Sequence, residues 1–148
     1  MTDVDPALAP FEALVGTWTT EARHPLVDAV VPGTVTFEWL EGRRFLIQRS
    51  TNDHEMFPDA ICVIGAPEDG DGLVMEYFDS RGVRRTYGIS LEDGVLRTWR
   101  DDPSFAQRTE ATLGPESIES HGQLARTPGE WEDDLTVVFR RTGPTLPA

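Results

Sequence analysis

Apolar and polar residues alternate with a period of two through much of this chain. Val35, Phe37 and Trp39 fall on one side of a run whose other side carries Thr34, Thr36 and Glu38. Near the far end, Leu135, Val137 and Phe139 alternate with Thr136, Val138 and Arg140. A strand points successive side chains to opposite faces, so such alternation predicts half-buried β-strands with these apolar sets turned inward. Runs rich in β-branched and aromatic residues recur at 15–23, 34–40, 44–50, 59–66, 73–79, 84–91, 95–101, 105–113, 117–126 and 131–141. Turn residues separate them, among them Glu41-Gly42, Ser80-Arg81-Gly82, Glu92-Asp93-Gly94, Gly114-Pro115 and Pro128-Gly129. Most gaps are of hairpin length, which predicts antiparallel neighbours in a meander. Ahead of the first strand the pattern changes. Asp5 can cap a helix and Pro6 suits its first position. Leu8, Phe11 and Leu14 follow at helical spacing, predicting a short helix that plugs one barrel end.

A chain with this many strands and almost no helix must hide its sheet edges, because open edges invite pairing with other chains. The expected fold is therefore all-β: a single antiparallel up-and-down β-barrel of about ten strands with a short N-terminal helix. An interior bounded by that many strands is wider than side chains alone fill, so the barrel is read as a container. One domain covers residues 1–148, with a core over 10–141 and tails at 1–5 and 142–148. The last of these, from Thr142 onward, is expected to fray. Alternation does not assign the inward face of the middle strands. Leu73, Met75, Tyr77 and Asp79 oppose Val74, Glu76 and Phe78; Val95, Arg97 and Trp99 oppose Leu96, Thr98 and Arg100. Both sets mix apolar with polar, as a wall facing a partly polar cavity would.

Charge narrows the partners. The net charge is −13, and all 13 basic residues are arginine. An acidic surface repels nucleic acid and anionic membranes, so neither is an expected partner. Without lysine there is no Schiff-base chemistry and no P-loop. The single cysteine, Cys62, leaves no internal disulfide, and the acidic start lacks the features of a secretion signal, so a cytoplasmic location is expected. No apolar run approaches the length of a membrane span. Three scattered histidines and one cysteine offer no metal-ligand spacing, so no metal is expected.

Candidate chemistry lies on the strands. Trp39, Tyr87 and Trp99 offer flat apolar walls for a ring, or simple core filling. Arg49, Arg100 and Arg108 lie within strands rather than in turns, and each requires a carboxylate partner or a bound oxyanion if buried. Tyr77-Phe-Asp-Ser-Arg-Gly82 is dense in polar and aromatic groups. There Asp79 suits a hairpin turn in which it accepts backbone N–H bonds. The alternative places Asp79 or Glu76 beside an arginine, with a shifted pKa, as a general base. The ligand-binding candidates are Trp39, Gln48, Arg49, Glu76, Phe78, Tyr87, Trp99 and Arg108; the catalytic candidates are Glu76, Tyr87 and Asp79.

Gly16-Thr-Trp18 after a short helix resembles the calycin signature, in which the tryptophan seals the barrel floor beneath a basic residue of the last strand. Arg140 or Arg141 is placed for that contact. The gap from His24 to Gly33 is too short for the helix pair of fatty-acid-binding proteins, so the chain is more similar to nitrobindin-like barrels. More specifically, Gly16-Thr-Trp18, Phe37-Glu-Trp-Leu-Glu-Gly42, Phe45-Leu-Ile-Gln-Arg49, Tyr77-Phe-Asp-Ser-Arg-Gly82, Trp99-Arg-Asp101 and Phe105-Ala-Gln-Arg108 resemble the DUF1579-like group of small bacterial proteins of unknown function. That likeness spans residues 10–141 and implies the fold but no reaction; the family pattern has histidine where this chain has Glu76. Nitrobindin-like barrels imply haem held by a C-terminal histidine, which this chain lacks. His121 is the one histidine on a strand, on a parity that reads as outward.

The leading functional expectation is binding of a small, largely apolar or aromatic molecule inside the barrel, without a cofactor. A cofactor-free isomerase or cyclase of bacterial secondary metabolism, using a cavity carboxylate or tyrosine, is the alternative. Haem binding is the third reading, and a homodimer stays open.

Overall fold

The computed structural model describes residues 5–142. It has a short 3₁₀ helix at Ala9–Leu14 followed by ten strands: β1 Gly16–His24, β2 Val27–Trp39, β3 Phe45–Asn52, β4 Ala60–Gly65, β5 Leu73–Asp79, β6 Arg84–Glu92, β7 Val95–Arg100, β8 Ala106–Leu113, β9 Ser117–Ala125 and β10 Glu132–Arg141. Each strand pairs antiparallel with its neighbour in sequence, and β1 pairs with β10 to close the barrel. The expected all-β, up-and-down barrel with a short N-terminal helix is therefore the observed fold. The tails expected at 1–5 and 142–148 fall almost wholly outside the described residues. No helix among the described residues is long and apolar enough to cross a membrane.

The helix is of the 3₁₀ type, and the spacing of its N-cap Leu8 and of Phe11 and Leu14 matches that period. Leu8, Phe11 and Leu14 then stack on one side at three residues per turn, and all three are fully buried. Asp5 accepts the Ala7 N–H at 2.9 Å and steadies the entry to the helix. The helix closes one end of the barrel. Beneath it the indole of Trp18 donates to the Leu14 carbonyl at 2.9 Å. Of the two basic residues placed by the calycin pattern, Arg141 makes the contact: its guanidinium lies 4.1 Å from the Trp18 ring centre and donates to the carbonyls of Ala13 and Val15. Arg140 is on the opposite face and pairs with Glu21.

β2 begins seven residues earlier than the alternation predicts, at Val27 rather than Thr34. Pro25 and Pro32 make this stretch resemble a loop, yet only Pro25 and Leu26 form the turn. The Pro32 carbonyl accepts the Asp53 N–H, so the side of Pro32 that lacks a donor faces the end of β3 and no ladder bond to β1 is lost. Beyond that point, Phe57 from the β3–β4 loop folds onto Ala22 and Val31 at the end of the barrel opposite the helix. The interior thus has a large apolar cluster under the helix and a smaller one under the Phe57 loop.

Candidate functional site

Register settles which side chains look inward between those two clusters. Gln48 lies between Phe37 and Cys62 across the sheet, all on the inner face. Tyr77 follows Met75 on the same side of β5, and Tyr87 precedes Ile89 and Leu91 on β6. The Asp93-Gly94 turn has positive φ at both residues (52° and 75°), so β6 and β7 join through a two-residue turn that sets Leu96 opposite Leu91. Thr98 and Arg100 inherit that inward face. Gln107 and Thr109 join them from β8.

These residues form a polar-aromatic belt. The Tyr87 hydroxyl donates to Gln107 Oε1 at 2.8 Å. The Tyr77 hydroxyl donates to Asp79 Oδ2 at 2.7 Å, and the two tyrosine rings meet edge to face at 6.1 Å. Arg100 donates to the Phe105 carbonyl and pairs with Asp102 at the rim. The Arg85 guanidinium lies 5.2 Å over the Phe105 ring. Burial raises the Tyr77 phenol well above its ordinary value, reinforced by the Asp79 carboxylate, and burial also raises Tyr87. Cys62, in the same wall, is pushed up to about 12 by burial and has little thiolate at neutral pH. Gln48, Tyr77, Thr98, Gln107, Thr109, Val137 and Phe139 face inward yet stay only half-buried. Inward residues nearer the helix, such as Trp18, Leu46, Ile64 and Ile118, are at most 2% exposed. The floor is therefore packed, while the belt borders accessible space.

Among the expected site residues, Gln48 and Tyr87 belong to the belt. Trp39 faces inward lower down, against the helix, where its indole donates to Glu12 Oε2 at 2.5 Å. The other ligand-binding candidates lie on the outer face, which corrects their expected place inside the barrel. Arg49 pairs with Glu38, and Glu76 accepts from the Thr86 hydroxyl. Phe78 lies under the Arg84 guanidinium, Trp99 covers Gly88, and Arg108 stacks on Trp131 at 3.8 Å. The physical reason is parity: each is an odd number of residues from an inward apolar residue of its own strand, Leu46 for Arg49, Met75 for Glu76 and Phe78, Leu96 for Trp99 and Ala111 for Arg108. Asp79 is a turn residue, as the Ser-Arg-Gly sequence after it implies. Its Oδ1 accepts the N–H of Arg81 and Val83, its Oδ2 pairs with the Arg81 guanidinium, and its side chain is fully enclosed. The Arg81 hydrogen bonds hold it well below the usual carboxylate range. An ionised, fully bonded carboxylate is a poor proton acceptor, and Glu76 is outside the barrel. Tyr77, Arg85 and Gln107 face inward without having been binding candidates, and Arg100, weighed above as an oxyanion ligand if buried, faces inward with them; the short β6–β7 turn is the signal that carries the inward face across to Arg100.

The histidines do not fit a haem ligand inside the barrel. His24 Nε2 is bonded to Asp134 at 2.9 Å and its Nδ1 accepts the Leu26 N–H. His54 accepts from Met56 in the β3–β4 loop, and His121 is exposed on the outer face. No group of three or more His, Cys, Asp or Glu residues able to hold a metal is found among the described residues.

No family model and no curated protein matches the sequence. Solved structures do match its fold. The crystal structure of Rv2717c from M. tuberculosis is similar with a TM-score of 0.69 and 15% identity, over 95% of this chain and 100% of that one. Fatty-acid-binding protein 1 of Echinococcus granulosus is similar with a TM-score of 0.63 and 16% identity, over 89% of this chain and 99% of that one. At these identities the likeness is one of architecture: the chain is a calycin-like barrel of ten strands.

Proposed function

We propose that this protein holds a small, largely apolar or aromatic molecule inside the barrel, against the belt of Gln48, Tyr77, Tyr87 and Gln107. The observation that carries the reading is the contrast within the interior: a closed floor under Trp18, and above it inward side chains that remain accessible. Apolar walls with a few placed polar groups are the usual make-up of a small-molecule site. Likeness of fold to a fatty-acid-binding protein supports a lipid-like or aromatic occupant. The DUF1579-like resemblance agrees with such a barrel and adds no reaction. The reading invokes no cofactor and places the protein in the cytoplasm.

Native mass spectrometry of the purified protein tests this, followed by titration with a dansyl-labelled undecanoate. Binding is expected in the wild type and in Glu76→Gln, and is expected to be lost in Gln48→Phe, which fills the belt. Equal binding by Gln48→Phe, or no uptake by the wild type at millimolar probe, refutes the reading.

A further inference from the structure

The outer wall carries a second concavity that container function does not use. Across β7 to β10 and onto β1, outward residues line up in two adjacent cross-strand rows: Trp99, Arg108, Gln123 and Asp133, then Arg97, Glu110, His121, Thr136 and Arg23. Together they bound a cleft of about 870 Å³, within the range of small-molecule sites. Two side chains open it. Trp99 leans toward β6, where its ring covers Gly88 so closely that a Cβ there would lie 2.2 Å from it. Arg108 leans the other way, donating from Nε to Gln123 Oε1 at 2.8 Å with its guanidinium flat on the Trp131 ring. The backbone of Thr98 and Thr109, whose side chains point into the barrel, is left as the floor.

Arg108 is anchored without being neutralised. Its hydrogen-bonding partner is an uncharged amide, and among the described residues no carboxylate pairs with it. The neighbouring Arg97 differs, being paired with Glu110 at 3.2 Å. The cleft also departs from the charge of the whole chain. Acidic residues outnumber basic ones 26 to 13 overall, whereas Arg23, Arg97 and Arg108 here face only Glu110, Asp133 and Asp134. A planar guanidinium with free N–H groups matches a carboxylate fork, and an indole 40% exposed beside it offers a flat face to a ring.

We infer that this cleft is a binding site for a planar aromatic carboxylate, its oxyanion on Arg108 and its ring against Trp99. The site is separate from the barrel interior and does not depend on what the interior holds.

The test uses 2-naphthoate and the four tryptophan indole N–H signals in an ¹⁵N-labelled sample. The expected result is saturable movement of the Trp99 and Trp131 signals, with those of Trp18 and Trp39 fixed by their bonds to Leu14 and Glu12. Arg108→Gln is expected to weaken binding at least about tenfold while leaving the rest of the spectrum in place. The uncharged 2-naphthalenemethanol is expected to bind weakly, and Gln48→Phe is expected to bind naphthoate as the wild type does. Movement of Trp39 without Trp99, equal binding by Arg108→Gln, or loss of binding in Gln48→Phe overturns the inference; the first and last would place naphthoate in the barrel instead.

Discussion

Arg141→Met tests the joint between the last strand and the floor. The substitution keeps the aliphatic stem and removes the guanidinium that lies 4.1 Å from the Trp18 ring centre and donates to Ala13 and Val15. Trp18 is 1% exposed, so the cation–π contact is largely desolvated and contributes about 2 kcal/mol. Each hydrogen bond from a charged donor is worth about 1.5–3 kcal/mol where no water replaces it. Ala13 is exposed, so water recovers most of that bond once the arginine is gone, and the Val15 carbonyl loses more. The expected total is about 3 kcal/mol. With a urea slope of about 2 kcal/mol/M, the unfolding midpoint falls by about 1.5 M at unchanged slope. Arg141→Lys keeps the charge but loses the fork, and is expected to fall about half as far. A midpoint shift under about 0.3 M for Arg141→Met would refute the account of the floor.

Two further outcomes follow from the same geometry. A Cβ on Gly33 would lie 2.4 Å from the Thr51 backbone oxygen, which cannot yield, so Gly33→Ala is expected to cost about 2–3 kcal/mol by thermal unfolding, and more than Gly88→Ala, where the exposed Trp99 ring can swing aside; equal costs would contradict this. Asp79 has a depressed pKa, so its stabilisation is complete above about pH 4 and is lost as the pH falls from there toward its folded-state value. Urea midpoints measured from pH 6 to pH 2 are therefore expected to fall more steeply in the wild type than in Asp79→Asn, and parallel profiles would show that Asp79 is not the group concerned.

Strand existence was legible because turn chemistry punctuates the chain and alternation fills the intervals. β5 and the starts of β6, β7 and β9 lie where the pattern puts them. The β1–β2 arm was not legible, since a proline inside a run argues against a strand unless its missing donor faces a free side, and that depends on where β3 stops. The site was less legible than the fold, because hydropathy cannot tell a polar inner wall from a polar outer one. Trp99 and Phe45 look like core residues, yet each lies outside over a glycine of the adjacent strand, Gly88 and Gly65. Tyr77 and Arg100 look like surface beside Phe78 and Trp99, yet they line the belt. Register is the missing information. It was available at one place, the Asp93-Gly94 turn, where Leu91 on one strand determines the face of Leu96 on the next.

The seam where β1 meets β10 has a consequence for biosynthesis. Residue pairs such as Trp18 with Arg141 and Thr20 with Phe139 join the first strand of the barrel to the last. While the ribosome still holds β10, the nascent chain carries β1 and β9 as two bare sheet edges, and its floor lacks the guanidinium that covers Trp18. Contacts of such long separation form slowly, and unpaired edges are the surfaces on which nascent chains aggregate. Closure of this barrel is thus an event that follows emergence of β10, and the interval before it is when the chain exposes the most unpaired sheet edge.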